Sequence, residues 1–124
     1  MIGLNPKLTR MLNPKVIIKN IFDIHSVPTS HNIGLKTVLL SDCESNSNIT
    51  QIAVTSFRIG EQVESHVHKT MDEHYLFIEG KARLEVDGEI IGCSKGSYVL
   101  VPAGCFHRLL AETDLKFISI GIAL

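Results

Sequence analysis

Between positions 49 and 123 short apolar segments are interrupted repeatedly by residues that reverse a chain: Gly60-Glu61, Glu79-Gly80, Asp87-Gly88, Lys95-Gly96 and Pro102-Ala103-Gly104. Many short segments with turn signals every several residues, and no convincing helical period, call for an antiparallel sandwich or barrel. Asp87-Gly88 is the sharpest of these signals. It separates RLEV from EIIG, and a two-residue type I′ hairpin needs positive φ at both central positions, which Asp and Gly tolerate.

The same reasoning places strands at 16–22, 35–40, 49–59, 63–68, 73–79, 82–86, 89–92, 97–101, 106–111 and 115–123, with loops at 27–32 and 41–48. Upstream, Asn5-Pro6 and Asn13-Pro14 favour extended or turn conformations and leave room only for a short helix around 8–12. Several segments are apolar at nearly every position, as in YLFIEG, SYVLVPAG and KFISIGIAL. Strands of that kind ask for cover on both faces, from a second sheet or from a second copy of the chain.

A chain of 124 residues can bury a core of its own, so one domain over 1–124 is expected. Hydrophobic residues at 44% and charged residues at 20% fit a soluble globular protein and argue against disorder. No apolar run approaches the roughly 18 residues of a membrane span. The first residues carry Lys7, Arg10 and Lys15 without the apolar run of a secretory signal, so a cytoplasmic location is expected. With a net charge of −1 and no basic stripe, neither nucleic acid nor a membrane is an expected partner. Cys43, Cys93 and Cys105 are odd in number and widely spaced, which excludes a disulfide framework and a cysteine zinc site.

The chemistry-bearing residues lie within 60–107. His66 and His68 are two apart, and alternate residues of a strand share a face, so both imidazoles can reach one ion. The stretch 69–72 is long enough to turn the chain and bring Glu73 back to the same point, and Pro102-Ala103-Gly104 sets the approach of His107. Nitrogen and oxygen donors of this kind suit divalent zinc, nickel, copper, iron, manganese or cobalt rather than calcium or magnesium. Three histidines and one glutamate also leave coordination positions open, as catalytic sites do.

These residues carry a resemblance. Gly60, His66, His68, Glu73 and Gly80 resemble the first motif of the cupin superfamily, and Gly96, Pro102, Gly104 and His107 resemble the second. Ala111 stands where the second motif often has an asparagine. The resemblance implies an all-β, antiparallel jelly-roll barrel in a small single-domain protein. It also implies one divalent metal held by His66, His68, Glu73 and His107, and a homodimer. In that scheme 1–34 form an N-terminal arm and edge strand contacting the partner, and 35–124 form the barrel. It does not select a reaction.

The expected function is therefore a metal-dependent enzyme acting on a small molecule, by isomerase, epimerase or dioxygenase-like chemistry. Glu73 would double as the catalytic proton carrier. The alternative is a metal-containing module that binds or senses a small ligand without turnover. By alternation Tyr75 and Phe77 share the face of Glu73 and are expected to line the pocket, as is Tyr98 with its neighbour Leu100. His74 should face the opposite way. His25 and His31 read as surface residues. Arg58 reads as a surface arginine and Arg108 should point away from the metal, so no inward cation is evident and a strongly anionic substrate is not expected.

Overall fold

The computed structural model describes residues 16–124; the Asn-Pro pairs and the short helix expected near 8–12 lie outside them. The described chain opens with a single 3-10 turn, Ile21–Asp23, and continues as strands β1 (Val27–Pro28), β2 (Leu35–Ser41), β3 (Ile49–Phe57), β4 (Gln62–His66), β5 (Met71–Glu79), β6 (Ala82–Val86), β7 (Glu89–Cys93), β8 (Tyr98–Val101), β9 (His107–Ala111) and β10 (Leu115–Ala123). All pairings are antiparallel. They make a six-stranded sheet in the order β1-β2-β3-β10-β5-β8 and a four-stranded sheet in the order β4-β9-β6-β7. The result is an all-β jelly-roll barrel, one of the antiparallel architectures the turn pattern allows and the one the resemblance implies.

Alternation fills the space between the sheets. In β5, Tyr75 and Phe77 are buried while Leu76 between them is exposed. In β6, Ala82 and Leu84 turn inward around an exposed Arg83. Phe57, Tyr75, Phe77 and Phe117 form an aromatic cluster with neighbouring ring centroids 5.5–6.3 Å apart. Fully burying one such side chain contributes roughly 1.5–3 kcal/mol.

Asp87 and Gly88 take φ of 47° and 85°, and Val86 pairs directly with Glu89 across them. This is the two-residue hairpin read from the sequence. It also anchors a distant segment. Phe106 N donates to Asp87 Oδ1 at 2.9 Å, and Asp87 N donates back to Phe106 O at 2.8 Å. The chain entering β9 is thereby fixed one residue before His107.

Two expectations need correction. The segment 16–22 is not a strand: Asn20 Oδ1 accepts from Phe22 N at 2.9 Å and caps the 3-10 turn, a local bond that competes with extended pairing. Phe22 is left 89% exposed. The edge beside β2 is taken instead by β1, inside the expected loop 27–32. The other correction is at His68, which lies beyond the end of β4 in the crossing to β5. No helix among the described residues is long and apolar enough to cross a membrane.

Candidate metal centre

The two sheets meet around four side chains. His66 ends β4 and His107 opens β9, and they face each other across the strand pair, with ring centroids 4.2 Å apart. His68 comes from the β4–β5 crossing, where Gly104 N donates to His68 O at 2.9 Å and ties it to the Pro102-Ala103-Gly104 turn. Ala103 N donates to Asp72 Oδ1 at 2.8 Å and fixes the same turn to the start of β5. Glu73 arrives on β5, from the opposite sheet. One ligand atom from each of His66, His68, Glu73 and His107 lies within 4.8 Å of the others.

The hydrogen bonds orient these donors. His66 Nδ1 donates to Glu64 O at 2.9 Å and His107 Nδ1 donates to Cys105 O at 3.1 Å. With the proton on Nδ1, each Nε2 keeps its lone pair for the cluster. Cys105 thus serves the site through its carbonyl. His107 is 3% exposed and its Nε2 has no hydrogen-bond partner among the described residues. Burial also holds the His107 pKa below its ordinary value, so the ring is kept neutral. His68 Nε2 meets Glu73 Oε1 at 2.5 Å, and the Tyr75 hydroxyl donates to Glu73 Oε2. Burial first, then the Glu73 carboxylate, raises the Tyr75 pKa well above the usual phenol range, so its O–H stays a donor.

This donor set fits a divalent transition metal. A buried nitrogen acceptor left unpaired costs about 1–3 kcal/mol, and a cation among three imidazoles and a carboxylate relieves it. The cluster opens on a cavity of about 200 Å3, so a bound ion would be reachable by a small molecule.

Of the residues expected in the lining, Tyr75 lines this cavity. Phe77 is wholly buried in the core beneath it, two residues deeper along β5. Tyr98 is on the outer face and 59% exposed, because its register partner Leu76 faces outward; Leu100 is exposed beside it. Tyr98 OH bonds His74 Nδ1 there at 2.5 Å, which puts His74 opposite to Glu73 as alternation requires. Arg108 points outward to Gln62 and Glu85, Arg58 lines a separate hollow, and Ala111 is core.

Two titratable lining residues escaped the sequence. His31 belongs to the turn before β2, where Thr29 Oγ1 donates to Ile33 O, and its ring lies 4.7 Å from that of His66 at the cavity mouth. Lys36 of β2 also lines the cavity, contrary to the expectation that no cation faces inward. Lys36 is the one charged residue of β2, a signal that marks an unusual position but not its face.

Comparison with known proteins agrees with this geometry. Among curated proteins, quercetin 2,3-dioxygenase of Bacillus subtilis (strain 168) is 32% identical over 69 residues, which are 56% of this chain. The chain spans only 20% of that enzyme's length. A predicted oxalate decarboxylase from Thermotoga maritima superposes with a TM-score of 0.80 at 21% identity, over 87% of this chain and 100% of that one; at that identity the likeness is one of fold. A cupin superfamily protein from Desulfitobacterium hafniense DCB-2 matches with a TM-score of 0.65 at 25% identity, over 79% and 84% of the two chains. The family model described as the cupin domain matches residues 53–121, more than half of the sequence and the whole run from β3 into β10 that carries the four donors, so this chain belongs to the cupin domain family.

Proposed function

We propose that the protein is a metal-dependent enzyme acting on a small molecule, with one divalent transition metal held by His66, His68, Glu73 and His107. The observation that carries this reading is the buried, partnerless Nε2 of His107 facing three further donors at the floor of an open cavity. Zinc, iron, nickel, manganese and copper all suit the donor set. When bound, the ion supplies Lewis acidity toward a carbonyl or enediol oxygen, or redox chemistry if the metal is redox-active.

The chain's own residues supply the rest. Glu73 is held by the Tyr75 hydroxyl on one oxygen and faces His68 with the other, so its carboxylate can take a proton from a bound molecule and return it. Met71 and Phe117 give the cavity apolar walls that limit water around the reacting atoms. Isomerase, epimerase and dioxygenase-like reactions all fit this arrangement. The protein is further proposed to act in the cytoplasm as a homodimer, with no nucleic acid or membrane among its partners.

Metal content of the purified protein tests the reading first. About one equivalent of transition metal is expected, with stoichiometric binding lost in His66→Ala and in His68→Ala. Full metal content in both variants overturns the assignment. Consumption of a small acid, phenol, enediol or sugar by the metal-loaded protein then separates an enzyme from a binding module, which would hold the same compound without turnover.

A further inference from the structure

Lys36 stands in β2 opposite Thr55 of β3, and its side chain enters the cavity that the four donors open on. Its Nζ donates to Gln51 Oε1 at 3.4 Å, a long bond for so strong a donor. Gln51 is opposite Gly121 in β10, and Gly121 is opposite Glu73 in β5. The ammonium is therefore drawn along the sheet to the row that holds the Glu73 carboxylate. Two strand spacings, about 10 Å, separate the Gln51 and Glu73 backbones. Between them Gly121 has no side chain, and the space its Cβ would enter is already taken by Thr50 Oγ1 and Met71 Sδ, which hydrogen-bond to each other at 3.4 Å. The floor between ammonium and carboxylate is made by these two side chains over the bare glycine.

Charge is unbalanced across that floor. Among the described lining residues Glu73 is the only carboxylate, and it is already engaged by His68 and Tyr75. Among the described residues no carboxylate lies within ion-pair distance of Lys36. A half-buried ammonium whose one hydrogen-bond partner there is a neutral amide leaves donors free for an anion. The Gln51 amide nitrogen can add a further donor. The cavity, at about 200 Å3, is smaller than the roughly 300 Å3 at which common ligand pockets begin, so the occupant is short.

We propose that Lys36, with Gln51, forms an anion subsite across the cavity from the four donors, and that the substrate is a short-chain carboxylic acid with a second oxygen function. The carboxylate accepts from Lys36 Nζ, and the second oxygen, a carboxylate, carbonyl or hydroxyl a few atoms away, reaches the ion. This rests on the metal-site reading above.

The test uses the full chain loaded with Co2+, whose visible absorption reports ligands entering its open positions. Succinate is the probe that can span ion and ammonium, and azide is the probe that reaches the ion alone. Succinate is expected to bind at least tenfold more weakly to Lys36→Met than to the wild type and to regain affinity in Lys36→Arg. Azide should bind all three equally, which also shows that the variants keep the site folded. Equal succinate affinity in wild type and Lys36→Met, or no succinate binding to either while azide still binds, overturns the subsite and leaves the metal site standing. Failure of the wild type to take up Co2+ or to bind azide overturns the metal-site reading and the subsite with it.

Discussion

His107 is the residue on which the site turns, because its two ring nitrogens have opposite tasks. Nδ1 is spent on the Cys105 carbonyl at 3.1 Å, and Nε2 is buried without a partner among the described residues. Burial lowers its pKa from 6.5, so in acid the unfolded chain binds a proton that the folded one resists. The contribution of His107 to the folding stability of the metal-free protein is then fully present above pH 6.5 and is lost as the pH falls below it toward the folded-state value. Urea melts of metal-stripped protein between about pH 5 and 8 should show that decline, and His107→Gln should lessen it without removing the part due to His31, whose pKa burial also lowers; an unchanged slope would exclude His107 as a source. Tyr75 acts one bond further out. Tyr75→Phe removes the donor on Glu73 Oε2 while keeping the ring in the aromatic cluster, so metal affinity should fall roughly 10–100-fold with little change in melting temperature. Competition with a chelating dye would measure it.

Turns rather than strands set the positions of these donors. The Asp87-Gly88 hairpin holds the entry to β9 through Phe106, and the turn ending at Gly104 holds His68. Gly80 links β5 to β6 with φ of 85°, and a Cβ there would collide with the Asp114 backbone oxygen. Gly88 has the same φ but open space around it. Gly88→Ala should therefore cost about 1–2 kcal/mol for backbone strain alone. Gly80→Ala adds an overpacking cost of roughly 1–3 kcal/mol, and chemical denaturation of the two variants should rank them in that order. These turns were legible in the sequence because a positive φ is a property of one or two residues. Strand identity was less so where a local bond could win, as the Asn20 cap did over 16–22.

Across the whole molecule the outer face of the six-stranded sheet is largely apolar along two rows that end near the His74–Tyr98 hydrogen bond. Val54, Ile118, Leu76 and Tyr98 are successive register partners, as are Ile52, Ile120, His74 and Leu100. A face of that composition in water is best covered by another protein surface, and it is the surface through which the proposed homodimer would form. Light scattering should give a mass near twice 13.7 kDa for the wild type and near one chain for Ile120→Lys; a wild-type monomer at high concentration would refute the dimer. The sequence by itself determined the β architecture, most strand positions, the Asp87-Gly88 hairpin and the four donors, because turn chemistry, period-two alternation and short spacings are local. Only the tertiary structure decided which face was which. Alternation puts Tyr98 and Leu100 together, but it is the pairing of Glu73 with Val101 that turns both outward. In the same way Lys36 became a cavity residue when β2 paired with β3 in one register, and His31 joined the mouth when the turn before β2 folded over His66. Each depends on contacts between residues far apart in the chain, and those are fixed when the two sheets close on a common core.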